Sequence, residues 1–148
     1  APSLFHRDVD EPSLFLVGQG KELPLAEMIR LCPPRFKVIM GRDSLIYGAL
    51  MYGATGAIAA TGNVAPKLIV GIYQAFKEGD CERAKQYQRE LAPLRAAFGL
   101  GTFPAVVKEA LTMMGLPGGR CRKPIQPLSA EKRAQLRDIL VKMELIQS

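Results

Sequence analysis

Residues 36–68 read FKVIMGRDSLIYGALMYGATGAIAATGNVAPKL, and their punctuation decides the fold class. Phe36 to Met40 is short, apolar and β-favouring, which predicts a buried strand closed by Gly41. Asp43 or Ser44 is then placed to cap a helix running to about Tyr52, because either side chain accepts from the free N–H groups of a first turn. Gly53 stops that helix, and Gly56 to Ala60 follows as a second buried strand. Neither strand alternates apolar with polar residues, as expected of a sheet covered on both faces. Strand, helix, strand is a βαβ unit, which implies parallel pairing and an α/β fold. Two strands do not make a stable sheet. More are expected, from the N-terminal region or from another chain.

Downstream, Thr61-Gly62-Asn63 reads as a turn, with Asn63 capping a helix from Val64 to Lys77. Pro66 falls in its first turn, where a missing N–H costs nothing. After Gly79, Asp80 caps a helix to about Phe98, with a bend expected at Pro93. Thr102 is the expected cap of a helix to Met114, Gly115 to Pro127 is an irregular loop, and Ser129 opens a last helix to about Met143. Leu136, Ile139 and Leu140 form the inward face of that helix. Upstream, seven prolines and glycines between Pro2 and Pro34 break up the chain. Leu14 to Val17 is a short candidate strand, and Leu25 to Leu31 spans one or two helical turns ended by Pro33-Pro34. The expected division is an irregular segment, 1–35, and a regular part, 36–148.

Composition narrows the function. The 148 residues are 48% apolar and 23% charged, near the globular average. No apolar run reaches the roughly 20 residues of a membrane span. The N-terminal stretch lacks the pattern of a signal peptide, so the expected location is cytoplasmic. Cys32, Cys81 and Cys121 lie far apart and read as free thiols, and His6 as a solvated residue, so no metal site is expected. The net charge of +6 is spread over mixed-charge helix faces. Its one dense patch, Arg120, Arg122 and Lys123, suits an anion or an ordinary loop, and no nucleic-acid motif accompanies it. Gly18-x-Gly20-Lys21 lacks the Gly-Lys-Ser/Thr ending of a phosphate loop. Gly53-x-x-Gly56 precedes a strand, which excludes a dinucleotide fingerprint.

Gly41-Arg42-Asp43, Gly53 to Gly56 and Asn63-Val64-Ala65-Pro66 together resemble strand seven to helix eight of the dihydrodipicolinate synthase / N-acetylneuraminate lyase family. AFKEGDCERAKQYQRELAPL, FPAVVKEALTMMGL and CRKPIQPLS resemble its later helices and their loop, so the likeness covers about three quarters of the chain. The resemblance implies a partial (β/α)8 (TIM) barrel: the last two βα units plus C-terminal helices, behind an irregular N-terminal segment. It also implies a class I aldolase or lyase in which a lysine amine forms a Schiff base with pyruvate or another 2-oxo acid. No cofactor, nucleic acid or membrane is implied, and a homo-oligomer is expected.

The family's main catalytic motifs are not recognisable. The strand-six Gly-x-Lys pattern, the Tyr-Asn-x-Pro pattern and the Gly-Thr-Thr-Gly-Glu loop are missing from these residues. Val17-Gly18-Gln19-Gly20-Lys21-Glu22 is similar to the setting of the Schiff-base lysine, with an extra residue before the lysine and a shorter stretch after it. Lys21 is therefore the candidate nucleophile, against the alternative of an exposed lysine in a glycine-rich turn. Residues 1–15 weakly resemble the family segment after strand four, without its tyrosine. Gly41 matches the small residue that ends strand seven, and Ile58 a strand-eight residue whose backbone carbonyl faces the site in the family; the resemblance makes both candidate substrate-binding positions at the C-terminal barrel end. Ordinary strand-end and core roles remain open for both. The competing expectation is a catalytically incomplete remnant that self-associates through its open sheet edge.

Overall fold

The computed structural model describes residues 14–17 and 25–147. They form two compact units that divide between Ala59 and Ala60.

The first unit holds a three-stranded parallel sheet in the order β1-β2-β3, with β1 at Leu14–Val17, β2 at Lys37–Met40 and β3 at Gly56–Ala57. The third strand that the βαβ unit requires thus comes from the N-terminal region. β1 registers on β2 from Leu14 opposite Lys37 to Val17 opposite Met40. The helices α1 (Leu25–Leu31) and α2 (Ile46–Met51) are the crossovers. Val38, Ile39 and Met40 are all buried although their side chains alternate between faces, as expected of a sheet covered on both sides. Val38 and Met40 pack with Met28 of α1 and with Ala49 and Ala54, and Leu25, Ile29 and Phe36 close the cluster.

Three expectations for this unit need correction. Asp43 is not the cap of α2. It opens a 3₁₀ turn, Asp43–Leu45, and is buried at 5% exposure, while the capping position of α2 is Leu45, which has no side-chain cap bond. Ser44 sits inside the same turn. The strand expected over residues 56–60 is only two residues long, because a second 3₁₀ turn starts at Ala60. α2 does end as its sequence suggests: Gly53, at φ +103°, donates to the Leu50 carbonyl and Ala54 to that of Ala49. Those two bonds define a glycine-terminated helix end.

The second unit contains α3 (Pro66–Lys77), α4 (Cys81–Ala97), α5 (Ala105–Met113) and α6 (Ala130–Lys142). α3 and α4 form a helical hairpin whose turn is reduced to Gly79 and Asp80. Gly79, at φ +80°, closes α3 by donating to Phe76, and the Asp80 carboxylate accepts from Arg83 N–H to start α4. Ile72, Ala75, Ala84, Leu91, Leu94, Ala110, Leu136 and Leu140 are buried to near completion. Ile139, expected to face inward with the last two, is only half-buried. α4 runs unbroken through Pro93.

Ser129 caps α6 as expected, accepting from Lys132 N–H at 3.3 Å. Asn63 and Thr102 do not cap. The Val64 and Ala65 N–H groups donate to the Thr61 carbonyl, so α3 begins later, and the Asn63 amide donates back to Ala60 at 3.0 Å. At α5 the Ala105 N–H bonds the Thr102 carbonyl, which leaves Pro104 at the capping position.

Candidate functional site

Parallel pairing brings the C-terminal ends of all three strands to one edge of the sheet. Val17 and Ala57 both register on Met40, so β1, β2 and β3 end at the same level. The chain leaves that level at Gly41 on β2 and Ile58 on β3. The Ile58 N–H donates to the Met40 carbonyl at 2.9 Å, which extends the ladder one residue beyond β3 and holds Ile58 beside the end of β2. On the same strand the Thr55 N–H and hydroxyl both donate to the Val38 carbonyl, at 2.8 and 3.2 Å. The β2–β3 edge is thereby fixed on both sides of its two-residue strand.

The structure therefore brings Gly41 and Ile58 together. Ile58 is 57% exposed, so it is not the core residue that an isoleucine at the end of an apolar strand suggests. Gly41 is half-buried. Arg42, the next residue, is exposed and forms no ion pair among the described residues. It places a positive charge at this end of the sheet, and a single arginine between glycine and aspartate carries no sequence pattern that would mark it. Lys21 follows β1 in the chain but lies outside the described residues, as do His6 and residues 1–13.

Titration behaviour offers little at this sheet end. The shifted groups are elsewhere: hydrogen bonds from Arg30 and Lys85 hold the Glu27 and Glu82 carboxyls below the usual range, and burial pushes the Cys32 thiol up. Among the described residues no group of three or more His, Cys, Asp or Glu side chains is arranged to hold a metal ion. Among them, too, no helix is long and apolar enough to cross a membrane.

Parallel strands with covering helices and a shared C-terminal edge are the architecture of α/β-barrel enzymes, which place their chemistry at that edge. The Dihydrodipicolinate synthetase family matches residues 18–143, and the chain belongs to that family. A 4-hydroxy-tetrahydrodipicolinate synthase of Archaeoglobus fulgidus is 36% identical over 147 residues, which is 98% of this chain and 51% of the relative. Another, of Methanothrix thermoacetophila, is 43% identical over 127 residues, 85% of this chain and 43% of the relative. The chain spans about half the length of the relatives it matches.

Among solved structures, dihydrodipicolinate synthase from Aquifex aeolicus superposes with a TM-score of 0.78 at 30% identity, over 84% of this chain and 43% of that one. YagE from E. coli K12, a prophage protein of the same family solved in complex with pyruvate, gives 0.76 at 33%, over 82% and 43%. These neighbours are TIM-barrel proteins, and family-level lyase function goes with them.

Proposed function

We propose that the chain forms the last βα units and C-terminal helices of a (β/α)8 barrel in a lyase acting on pyruvate-type 2-oxo acids. Gly41 and Ile58 line the substrate pocket, and Lys21 is the amine that forms the Schiff base. The observation that carries this reading is the common level at which β1, β2 and β3 end, with Ile58 tied to the end of β2. The chain beyond β1 leads from that level to Lys21. Support also comes from the pyruvate bound to YagE, a member of the same family.

In this chemistry the lysine nitrogen attacks the ketone carbon and water leaves; the resulting iminium accepts the electron pair of a breaking bond, or loses an α-proton to give an enamine whose pair makes the new bond. A glycine at position 41 leaves room for the acid beside the iminium. Arg42 adds a positive charge at the same edge for the carboxylate. No tyrosine or paired-threonine motif of the family is recognisable in these residues. We infer that, taken alone, they form the imine without completing the condensation or cleavage.

The test is an intact mass spectrum after incubation with pyruvate and borohydride, which reduces a lysine–pyruvate imine to a stable amine. A single adduct that maps to Lys21 is expected. An unmodified protein would remove Lys21 from the reading and favour a non-catalytic, self-associating remnant. That second reading draws on the sheet edges of β1 and β3, which are open among the described residues. Light scattering on a variant with a proline placed in β1 tests it further: the remnant requires an oligomer that such an edge change dissolves.

A further inference from the structure

The loop after α5, residues 115–128, is held at both ends, to the helix itself at its start and beside Gly101 at its end. At its start, Gly118 lies so close to the helix that a Cβ there would collide with the Lys108 carbonyl and the Thr112 hydroxyl. The Lys108 ammonium donates to the Gly118 carbonyl at 2.8 Å and more weakly to that of Arg120 at 3.4 Å. At its end, Leu128 packs beside Gly101, where a Cβ would stand 3.2 Å from the leucine methyl and from Val106. Between these fastenings the loop stands off from α5 and encloses a cleft of about 460 Å³. Such a volume is in the range of small-molecule sites.

The lining of the cleft is unbalanced in charge. Lys108, Arg120 and Lys123 face it, against a single carboxylate, Glu109. Glu109 is already engaged, accepting from Arg133 of α6 at 2.5 Å. Arg120 and Lys123 form no ion pair among the described residues. An ammonium has three donors, and Lys108 directs two at loop carbonyls, so one remains on an amine whose position is already set. Buried Ala105 with half-buried Ile125 and Leu128 supply an apolar part of the lining, and the uncharged polar side chain of Gln126 also borders it.

We propose that this cleft binds a small phosphate monoester. The phosphate takes charge-assisted bonds from Arg120, Lys123 and the free donor of Lys108, and the organic body lies on Ala105, Ile125 and Leu128. Arginine suits this role because its planar fork matches phosphate oxygens. The cleft is built wholly from residues of the second unit, and its assignment does not rest on the lyase reading.

Cys121 lines the cleft, is half-buried and is a free thiol, so it reports occupancy. The experiment follows alkylation of Cys121 in the full chain by iodoacetamide, read by peptide mass spectrometry, with Cys81 at the start of α4 as internal control. Glycerol 3-phosphate is expected to slow the reaction at Cys121 saturably and to leave Cys81 unchanged, while glycerol at matched ionic strength has no effect. The pair R120Q/K123Q is expected to weaken protection by about tenfold or more, the scale of losing hydrogen bonds to a charged group. R89Q/K132Q removes the same charge from outer helix faces and is expected to leave protection intact. Absence of protection, protection that survives R120Q/K123Q, or equal loss in R89Q/K132Q overturns the proposal. So does stronger protection by duplex DNA than by glycerol 3-phosphate, which would make the patch a nucleic-acid surface.

Discussion

Gly71 on α3 lies against the ring of Tyr87 on α4, so close that a Cβ at position 71 would stand 2.8 Å from two ring carbons. This approach lets the two helices of the hairpin pack with an aromatic ring at their interface. Alanine at position 71 would gain about 1 kcal/mol of helix propensity, but displacing a ring near its root costs about 1–3 kcal/mol. Gly71→Ala is therefore expected to lower unfolding stability by about 1 kcal/mol in a denaturant titration. The same change made on a Tyr87→Ala background should raise stability, because the obstacle is gone. A loss of equal size on both backgrounds would contradict the packing account.

The turn between α3 and α4 depends on the Asp80 carboxylate, which accepts from Arg83 N–H at 3.0 Å. Asp80→Ala should destabilise by about 1 kcal/mol, and Asp80→Asn by much less, because asparagine caps nearly as well. Circular dichroism melts of the three proteins measure the order.

Glu144, just beyond α6, has φ +56° and is the one non-glycine residue in the left-handed region among those described. It ends α6 in the way Gly53 ends α2, donating to the Val141 carbonyl, while Leu145 donates to that of Leu140. Glu144→Gly is expected to stabilise by about 1 kcal/mol, since glycine adopts this conformation without the Cβ penalty. Glu144→Ala should bring no such gain, and equal melting midpoints for glycine and alanine would contradict the backbone explanation.

The lowered carboxyl pKa of Glu27, chiefly from its bond to Arg30, and that of Glu82, chiefly from Lys85, give a signed pH effect. A folded pKa below the unfolded one contributes stability that is complete above the unfolded value and lost as pH falls through the folded value. The difference in denaturation midpoint between the parent and an E27Q/E82Q variant should thus be largest near neutrality and vanish once the pH has fallen below the lowered folded pKa values. Both pairs are exposed, so the difference should be small and should shrink further in about 1 M salt. A difference that grows on acidification would have the wrong sign.

Gly41 is not among the residues with positive φ, so its backbone tolerates a side chain. If Gly41 lines the pocket as proposed, Gly41→Val leaves the melting temperature nearly unchanged while abolishing the pyruvate adduct, because the valine methyls then take substrate space. Unfolding of the variant, or an undiminished adduct, would show that the glycine serves the strand end and not the pocket.

Much of the order of elements was legible because local rules govern it. Gly41, Gly53 and Gly79 mark real ends of β2, α2 and α3, and Asp80 and Ser129 cap as their residue types suggest. The failures have a common cause. Asn63 and Thr102 precede helices, yet backbone bonds to the Thr61 and Thr102 carbonyls occupy the first N–H groups, while Asp43 falls inside a 3₁₀ turn that moves the start of α2 to Ile46. A residue type signals that a cap is possible, and competing backbone bonds decide whether it forms. The ordinary core role left open for Ile58 does not hold, because the turn at Ala60 ends the strand early and Ile58 is exposed.

The sequence by itself determined the family, through glycine, aspartate and proline positions spread along the chain, and the alternation of strand and helix that those positions punctuate. Tertiary structure alone decided what stands beside what. That Leu14–Val17 is the third strand, that Ile58 is tied to the end of β2, and that Lys108 fastens a basic loop over a cleft are all contacts between residues distant in the chain. Such contacts follow from strand register and helix packing, which depend on the whole buried surface and leave no mark in any short stretch of residues.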